Sequence, residues 1–467
     1  MHLVDLLIVG AYMIAMLVVG AVFLKRQSRV DEFFVGDRKM GAAHIGLSVV
    51  ATDVGGGFSI GLGGLGFTMG ISGSWLLFTG LLGAWLAAVV LIPRVKPLGD
   101  KYGWLTFPDF LEHRFNVQTR TVAAIVSGIG YAGFVGGQIL AGAKLGSAAF
   151  EIDLTTAVWL TAAVVVVYTA FGGLQAVVYT DTVQWIIVLV GLIFFALPFA
   201  YFEVGGLEGI RAAVPASHFS LTNVEPLTLL TWALTIIPIW FVGQTLYQRI
   251  YATRDVKTAK RAWYFAGLLE YPLMAFVGVT LGMMSRVAFP EVESEMGLPL
   301  LIRDVLPIGI TGLVMAAYFS AIMSTADSCL LASVGNLVND LYQRHIDPEA
   351  PARRVLMISR VLTFTVGMAS VALALALPKV LDAILLAYAF MVSGLFVPTL
   401  GGLLWKRTSS AAALTAMLGG GGVAVALAAI PSISPVKEPI LIALPVSAVL
   451  LVVVSLIKPN TKHIPTA

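Results

Sequence analysis

Cysteine is almost missing from these 467 residues: Cys329 is the only one. One thiol excludes a disulfide framework and a thiolate metal cluster. Histidine is scarce too, and the six present (His2, His44, His113, His218, His345, His463) show no metal-ligand spacing. There is no Walker A loop, no H-E-x-x-H pair and no nucleophile elbow, so ATP is not expected to power this protein directly and hydrolytic chemistry has no visible machinery. The most telling shortage is charge. Only 12% of residues are charged against 58% hydrophobic, too little polar surface to cover a soluble globule of this length. The formal net charge of +3 then reports membrane topology, not a nucleic-acid footprint.

What the sequence has in abundance is apolar runs. About thirteen approach the roughly 20 residues that cross about 30 Å of hydrocarbon as a helix. They cover 3–24, 41–69, 73–93, 119–146, 153–172, 179–202, 227–251, 263–286, 306–340, 357–377, 379–404, 410–430 and 438–457. The expected fold class is all-α, a multi-pass bundle in the cell membrane; a barrel would show alternating segments of about ten residues. The first run has no basic flank before it and no small-residue cleavage site, so it is expected to be a retained span. Lys25, Arg26, Arg29, Arg38 and Lys39 follow it, which by the positive-inside rule puts the amino terminus outside and the carboxyl terminus in the cytoplasm. The later loops agree. Those assigned inside carry Arg94, Lys96, Lys101, Arg114, Arg120, Arg249, Arg254, Lys257, Lys260, Arg261, Arg344, Arg353, Arg354, Lys406 and Arg407. Those assigned outside carry only Arg211, Arg286, Arg303, Lys379 and Lys437.

Two spans are interrupted. The second holds "ATDVGGGFSIGLGG", in which Gly55, Gly56 and Gly57 each disfavour helix by about 1 kcal/mol relative to alanine. The seventh holds "IIPIWFVGQTLYQR", with Pro238 and Gly243 in its middle. Their separation by five spans is that of a five-plus-five inverted repeat, whose unwound backbone serves ions and substrate at mid-membrane. Close helix packing would also account for a glycine run.

The ninth span carries "AIMSTADSCLL", where Ser324, Thr325, Asp327 and Ser328 share one side of a helix. An acid at this depth costs about 2.5–3.5 kcal/mol, which a bound cation with a taste for oxygen ligands, such as sodium, would repay. A second acid, Asp181 in "GGLQAVVYTDTVQW", lies near the cytoplasmic end of the sixth span, within expected reach of Asp327. Two carboxylates in low dielectric repel unless a proton or metal ion lies between them. Hydroxyls bonding back to helix carbonyls are the plainer account of Thr325 or Ser328 taken singly.

"ATDVGGGFSIG", "YTAFGGLQAVVYTDTVQ", "GQTLYQRIYATRD" and "SAIMSTADSCLLAS", in this order along the chain, resemble the sodium:solute symporter family with its LeuT-type inverted-repeat fold, from about residue 5 to residue 405. The choline-transporter and sodium/proline branches look most similar. The resemblance implies a primary sodium site of the Ala51, Val54 and Ala321 carbonyls and the Ser324 and Thr325 hydroxyls. It also implies a second sodium position at Asp181, Asp327 and Ser328, with Asp327 in place of the family's serine. Residues 1–40 would form a peripheral helix and cytoplasmic loop, 41–202 and 203–405 the two repeats, and 406–467 two peripheral helices and a tail.

The solute is expected beside the two breaks, lined by Asp53, Phe58, Gln138, Trp240, Gln244, Tyr388 and Phe390. Phe58 and Leu77 stand where sugar-carrying relatives have hydrogen-bonding side chains, and Asp53 and Gly243 dismantle the aromatic cage of choline carriers. Asp53 matches an acid of the sodium/proline branch and Lys144 an arginine, so an amino acid, imino acid or small amine is expected. Lys144 also lies close enough to the helix end to snorkel to the outer surface. The expected activity is secondary active symport of a small organic solute with sodium, by a single chain in a lipid bilayer, with no covalent chemistry. A monocarboxylate as cargo, proton coupling through Asp181 or Asp327, and a channel are the alternatives.

Overall fold

The computed structural model describes residues 1–24, 35, 38–430, 432 and 436–460. Lys25, Arg26, Arg29 and His463 lie outside them. Among the described residues there is no β-strand, and the single β-bridge joins Met40 to Thr253. The helices used below are α1 (Leu3–Leu24), α2 (Ala42–Asp53), α3 (Gly56–Met69), α4 (Trp75–Val90), α5 (Ile92–Tyr102), α6 (Phe107–Arg114), α7 (Val117–Phe150) and α8 (Leu154–Leu189). After them come α9 (Pro226–Val242), α10 (Gln244–Ala252), α11 (Val256–Leu269), α12 (Phe276–Ala288), α13 (Ser294–Val305), α14 (Ile310–Gly335), α15 (Ala352–Ala376), α16 (Val380–Leu404), α17 (Ser410–Ala429) and α18 (Ile440–Ile457).

Nine helices among the described residues are long and apolar enough to cross a membrane, or ten if the pair bent by 42° at Gly243 is one span. The expected thirteen are not reached by that measure. Leu3–Ala15 and Leu154–Ala170 are apolar but short, α2 has 12 residues, and the glycine-rich α3 runs with α4 as one apolar stretch.

Burial sorts the helices into a centre and a rim. The most apolar window of the helix beginning at Ile310 is 94% buried, against 33% for Ile440–Ile457. α14 therefore sits in the middle, packed on α7 and α8 and touching α1, α2 and α3. Val89, Ile129, Leu160, Phe194, Phe364, Leu418 and Val449 point outward, as a lipid-facing surface requires.

Both interruptions are real, but proline causes neither. α2 ends at Asp53 and α3 begins at Gly56, with Gly55 at φ −34° and ψ −177° between them. α9 runs through Pro238 to Val242 and breaks at Gly243, whose backbone is extended (φ −66°, ψ 113°). Pro238 removes one N–H from the ladder, which a tightly packed helix tolerates. The Gly55–Gly57 run serves packing as well as the break. A Cβ on Gly55 would sit 1.5 Å from Thr325 Oγ1, on Gly56 1.9 Å from Ile322 Cγ1, and on Gly57 2.5 Å from Gln138 Nε2.

Candidate functional site

The break after Asp53 leaves the Ala51 carbonyl without its helical donor, because Gly55 is no longer in the ladder. α14 answers with hydroxyls. Thr325 Oγ1 donates to the Ala51 carbonyl at 2.7 Å and lies 3.1 Å from that of Ala321. Ser324 Oγ lies 3.3 Å from the Ala51 and 3.1 Å from the Ala321 carbonyl oxygen. Ala51, Val54, Ala321 and Ser324 also line a small cavity of about 10 Å³, room for one water or ion. The structure thus brings all five expected sodium-site positions together.

One turn toward the start of α2 and the end of α14 the chemistry changes. Arg249 of α10 is fully buried, and its guanidinium donates to Ser328 Oγ (2.7 Å), Ser48 Oγ (2.9 Å), Asp181 Oδ2 (3.2 Å) and the Thr245 carbonyl (3.2 Å). Ser48 Oγ donates to the same Asp181 oxygen at 2.5 Å, and Thr52 Oγ1 to Ser328 Oγ at 3.2 Å. Asp327 turns elsewhere and accepts from Thr169 Oγ1 at 2.8 Å, with its other oxygen unpartnered. The cation beside Asp181 and Ser328 is therefore Arg249. In the sequence Arg249 stands among the basic residues assigned inside and within the motif "GQTLYQRIYATRD", and neither assigns it a partner.

The expected solute residues divide. Phe58, Phe134 and Tyr388 form one aromatic group, with centroids 6.3 Å apart for Phe58–Phe134, 6.2 Å for Phe58–Tyr388 and 4.9 Å for Phe134–Tyr388. Gln138 Oε1 accepts from Gly57 N–H at 2.9 Å beside them. Trp240 packs against Gly83 of α4 and lies 6.5 Å from the Trp263 ring. Gln244 is drawn away, accepting from Phe107 N–H at 2.6 Å. Phe390 faces Gly421 of α17, two residues and so about 200° around α16 from Tyr388.

Glu270 was missed altogether. It opens a π-helical turn between α11 and α12, is fully buried, and neither of its carboxylate oxygens has a partner. A π-turn within a span is a frequent mark of a working site, but hydropathy does not reveal it.

Lys144 neither snorkels nor meets solute. It is buried against Glu293 (2.9 Å) and Glu295 (2.7 Å), and Glu295 accepts the Val380 and Leu381 amides at 2.8 and 3.0 Å, tying α7, α13 and the start of α16. At the other end Arg120 pairs with Asp109 (3.0 Å), Glu112 (2.7 Å) and Asp340 (2.7 Å), and Arg344 with Glu112. Each end of the bundle is held by an ionic latch.

The model of the sodium:solute symporter family matches residues 33–420. The chain belongs to that family. It is 30% identical to the high-affinity proline transporter PutP of Bacillus subtilis (strain 168), over 88% of this chain and 89% of that one. It is 27% identical to sodium/myo-inositol cotransporter 2 of Mus musculus, over 89% of this chain and 68% of that one. A Na+-coupled sialic acid symporter, solved substrate-bound and outward-open, superposes with a TM-score of 0.80 at 21% identity, covering 99% of this chain and 100% of that one. Mhp1, a nucleobase-cation-symport-1 family transporter, superposes with a TM-score of 0.59 at 14% identity, over 91% and 92%. These likenesses give the fold, of the LeuT type. The protein is a multi-pass transporter that couples solute movement to sodium, and not an enzyme.

Proposed function

We propose that the protein imports an amino acid, imino acid or small amine with sodium, by alternating access. The observation that carries this is the meeting of Thr325 Oγ1 with the Ala51 carbonyl, 2.7 Å apart across the broken helix. Ala51, Val54, Ala321, Ser324 and Thr325 supply five oxygens around room for one ion, the coordination a hard monovalent cation prefers. Their hydroxyl protons swing aside when the ion enters. Because the ligands come from both α2 and α14, sodium binds well only when the two helices are in register, and so biases the bundle toward one state. Asp53, Phe58, Gln138, Trp240 and Tyr388 stand nearest the break and are read as the solute's lining. Arg249 takes the part of a resident second cation beside Asp181 and Ser328, which leaves Asp327 as the acid of that cluster open to a further ion.

Residues 41–202 and 203–405 are read as the inverted repeats, the amino terminus as outside and the carboxyl terminus as cytoplasmic, and one chain as sufficient. Moving one charge through 100 mV releases about 2.3 kcal/mol, which sustains roughly fortyfold accumulation. The similarity to proline transporters supports the solute class, as does the fixed carboxylate of Asp53. The test is uptake of candidate amines and amino acids by proteoliposomes in sodium, choline or lithium buffer at two pH values. Sodium-dependent uptake is expected; uptake indifferent to sodium overturns the reading.

A further inference from the structure

A Cβ placed on Gly80 of α4 would lie 2.8 Å from Glu270 Oε2 and 3.8 Å from Asp53 Oδ2. Two carboxylates from different helices thus converge on one point beside the helix break. Glu270 is fully buried with both oxygens unpartnered, and Asp53 is 7% exposed. Among the described residues neither forms an ion pair, and the other titratable side chains around them are Tyr131, Tyr388 and Cys329. The buried cations Arg249 and Lys144 are spent, Arg249 on Asp181 and Lys144 on Glu293 and Glu295. The Trp240 indole N–H, 3.0 Å from a Cβ on Gly83 one turn along α4, is also unpartnered. Two buried acids without a cation in the chain are neutralised either by protons or by positive charge brought from outside, and a cationic solute would supply the second.

We infer that Glu270 is a solute-binding residue, and that Glu270 with Asp53 selects an organic cation bearing N–H groups and no carboxylate. This rests on the symporter reading above. Sodium at the break supplies one positive charge next to Asp53, and an ammonium solute supplies the second for Glu270. A zwitterion adds no net charge and brings a carboxylate for which no unspent cation stands near. Carboxylates accept N–H hydrogen bonds, so primary and secondary ammonium groups gain what a quaternary one cannot. Phe58, Phe134 and Tyr388 offer faces for the solute's carbon skeleton.

The experiment compares matched ligands on purified full-length protein in nanodiscs with sodium: pyrrolidine, proline, which is pyrrolidine with a carboxylate, and N,N-dimethylpyrrolidinium. Piperidine and 1,4-diaminobutane extend the amine set. Calorimetric binding is measured for wild type, Glu270→Gln and Glu270→Asp, with folding checked by the sodium-induced rise in melting temperature. Expected are at least tenfold tighter binding of pyrrolidine than of proline, loss of roughly ten- to hundredfold in Glu270→Gln, and partial retention in Glu270→Asp. The inference is overturned if proline binds as well as pyrrolidine, if the quaternary ion does, or if Glu270→Gln changes nothing. It is overturned too if no amine binds while sodium still stabilises the protein, and in that case the symporter reading stands. Absence of the sodium effect as well brings down both.

Discussion

Asp181 and Glu270 are both acids and both fully buried, yet they are opposites. Asp181 shares an oxygen between Ser48 and Arg249, so its charge is answered within the chain. Among the described residues neither Glu270 oxygen has a partner, whereas one of the two on Asp181 does, and the neighbour of Glu270 is another acid. A polar cluster that satisfies itself rigidifies and specifies a fold, whereas one left unsatisfied is a demand that something else must meet. In this transporter the first kind sits one turn from the break, between the start of α2 and the end of α14, and the second beside Asp53 at the break; on the reading proposed above, the first holds the bundle together and the second receives cargo.

The largest expected effect breaks the satisfied side. Arg249→Met strands Asp181 and should cost about 3–5 kcal/mol in denaturant unfolding in mild detergent, most of it recovered in the Asp181→Leu, Arg249→Met double variant. If the single variant is as stable as wild type, the contrast between the two acids is wrong. Next is the break itself. Thr325→Val deletes a hydroxyl that two carbonyls share and should cost about 1–3 kcal/mol of sodium binding, a shift of roughly 5- to 150-fold in the sodium concentration for half-maximal uptake. Its stability without sodium should fall far less. Glu270→Gln sharpens the comparison from the other side: unfolding stability should stay within about 1 kcal/mol of wild type or rise, because the native carboxylate had nothing to lose. A large destabilisation would mean that Glu270 is structural. The smallest effect is Phe390→Ala, which should leave uptake unchanged within error, since the ring faces α17 and not the break.

Part of the proposed sodium site was legible in the sequence, because its signals are local. Helical period puts Ser324 and Thr325 on one face and the three glycines mark the break, while Ala51, Val54 and Ala321 were expected from the family resemblance. The solute lining was legible only in part. Asp53, Phe58, Gln138 and Tyr388 gather near the break, while Gln244 and Phe390, equally close in the sequence to recognised motifs, are turned away by Phe107 and by the helical register of α16. Glu270 gave no local sign. Its neighbour Asp53 is more than 200 residues away in the chain, and only the packing of α4 between α2 and the π-turn brings them to one point.

By itself the sequence determined that the chain is a helical membrane protein, where two of its helices break and which helix carries the hydroxyls, because hydropathy, glycine and helical period act over a few residues. The tertiary structure alone decided how the buried charges pair: Arg249 to Asp181, Lys144 to Glu295, and Glu270 to nothing. Electrostatic energy depends on distance in space, and in a bundle of long helices that distance is unrelated to distance along the chain.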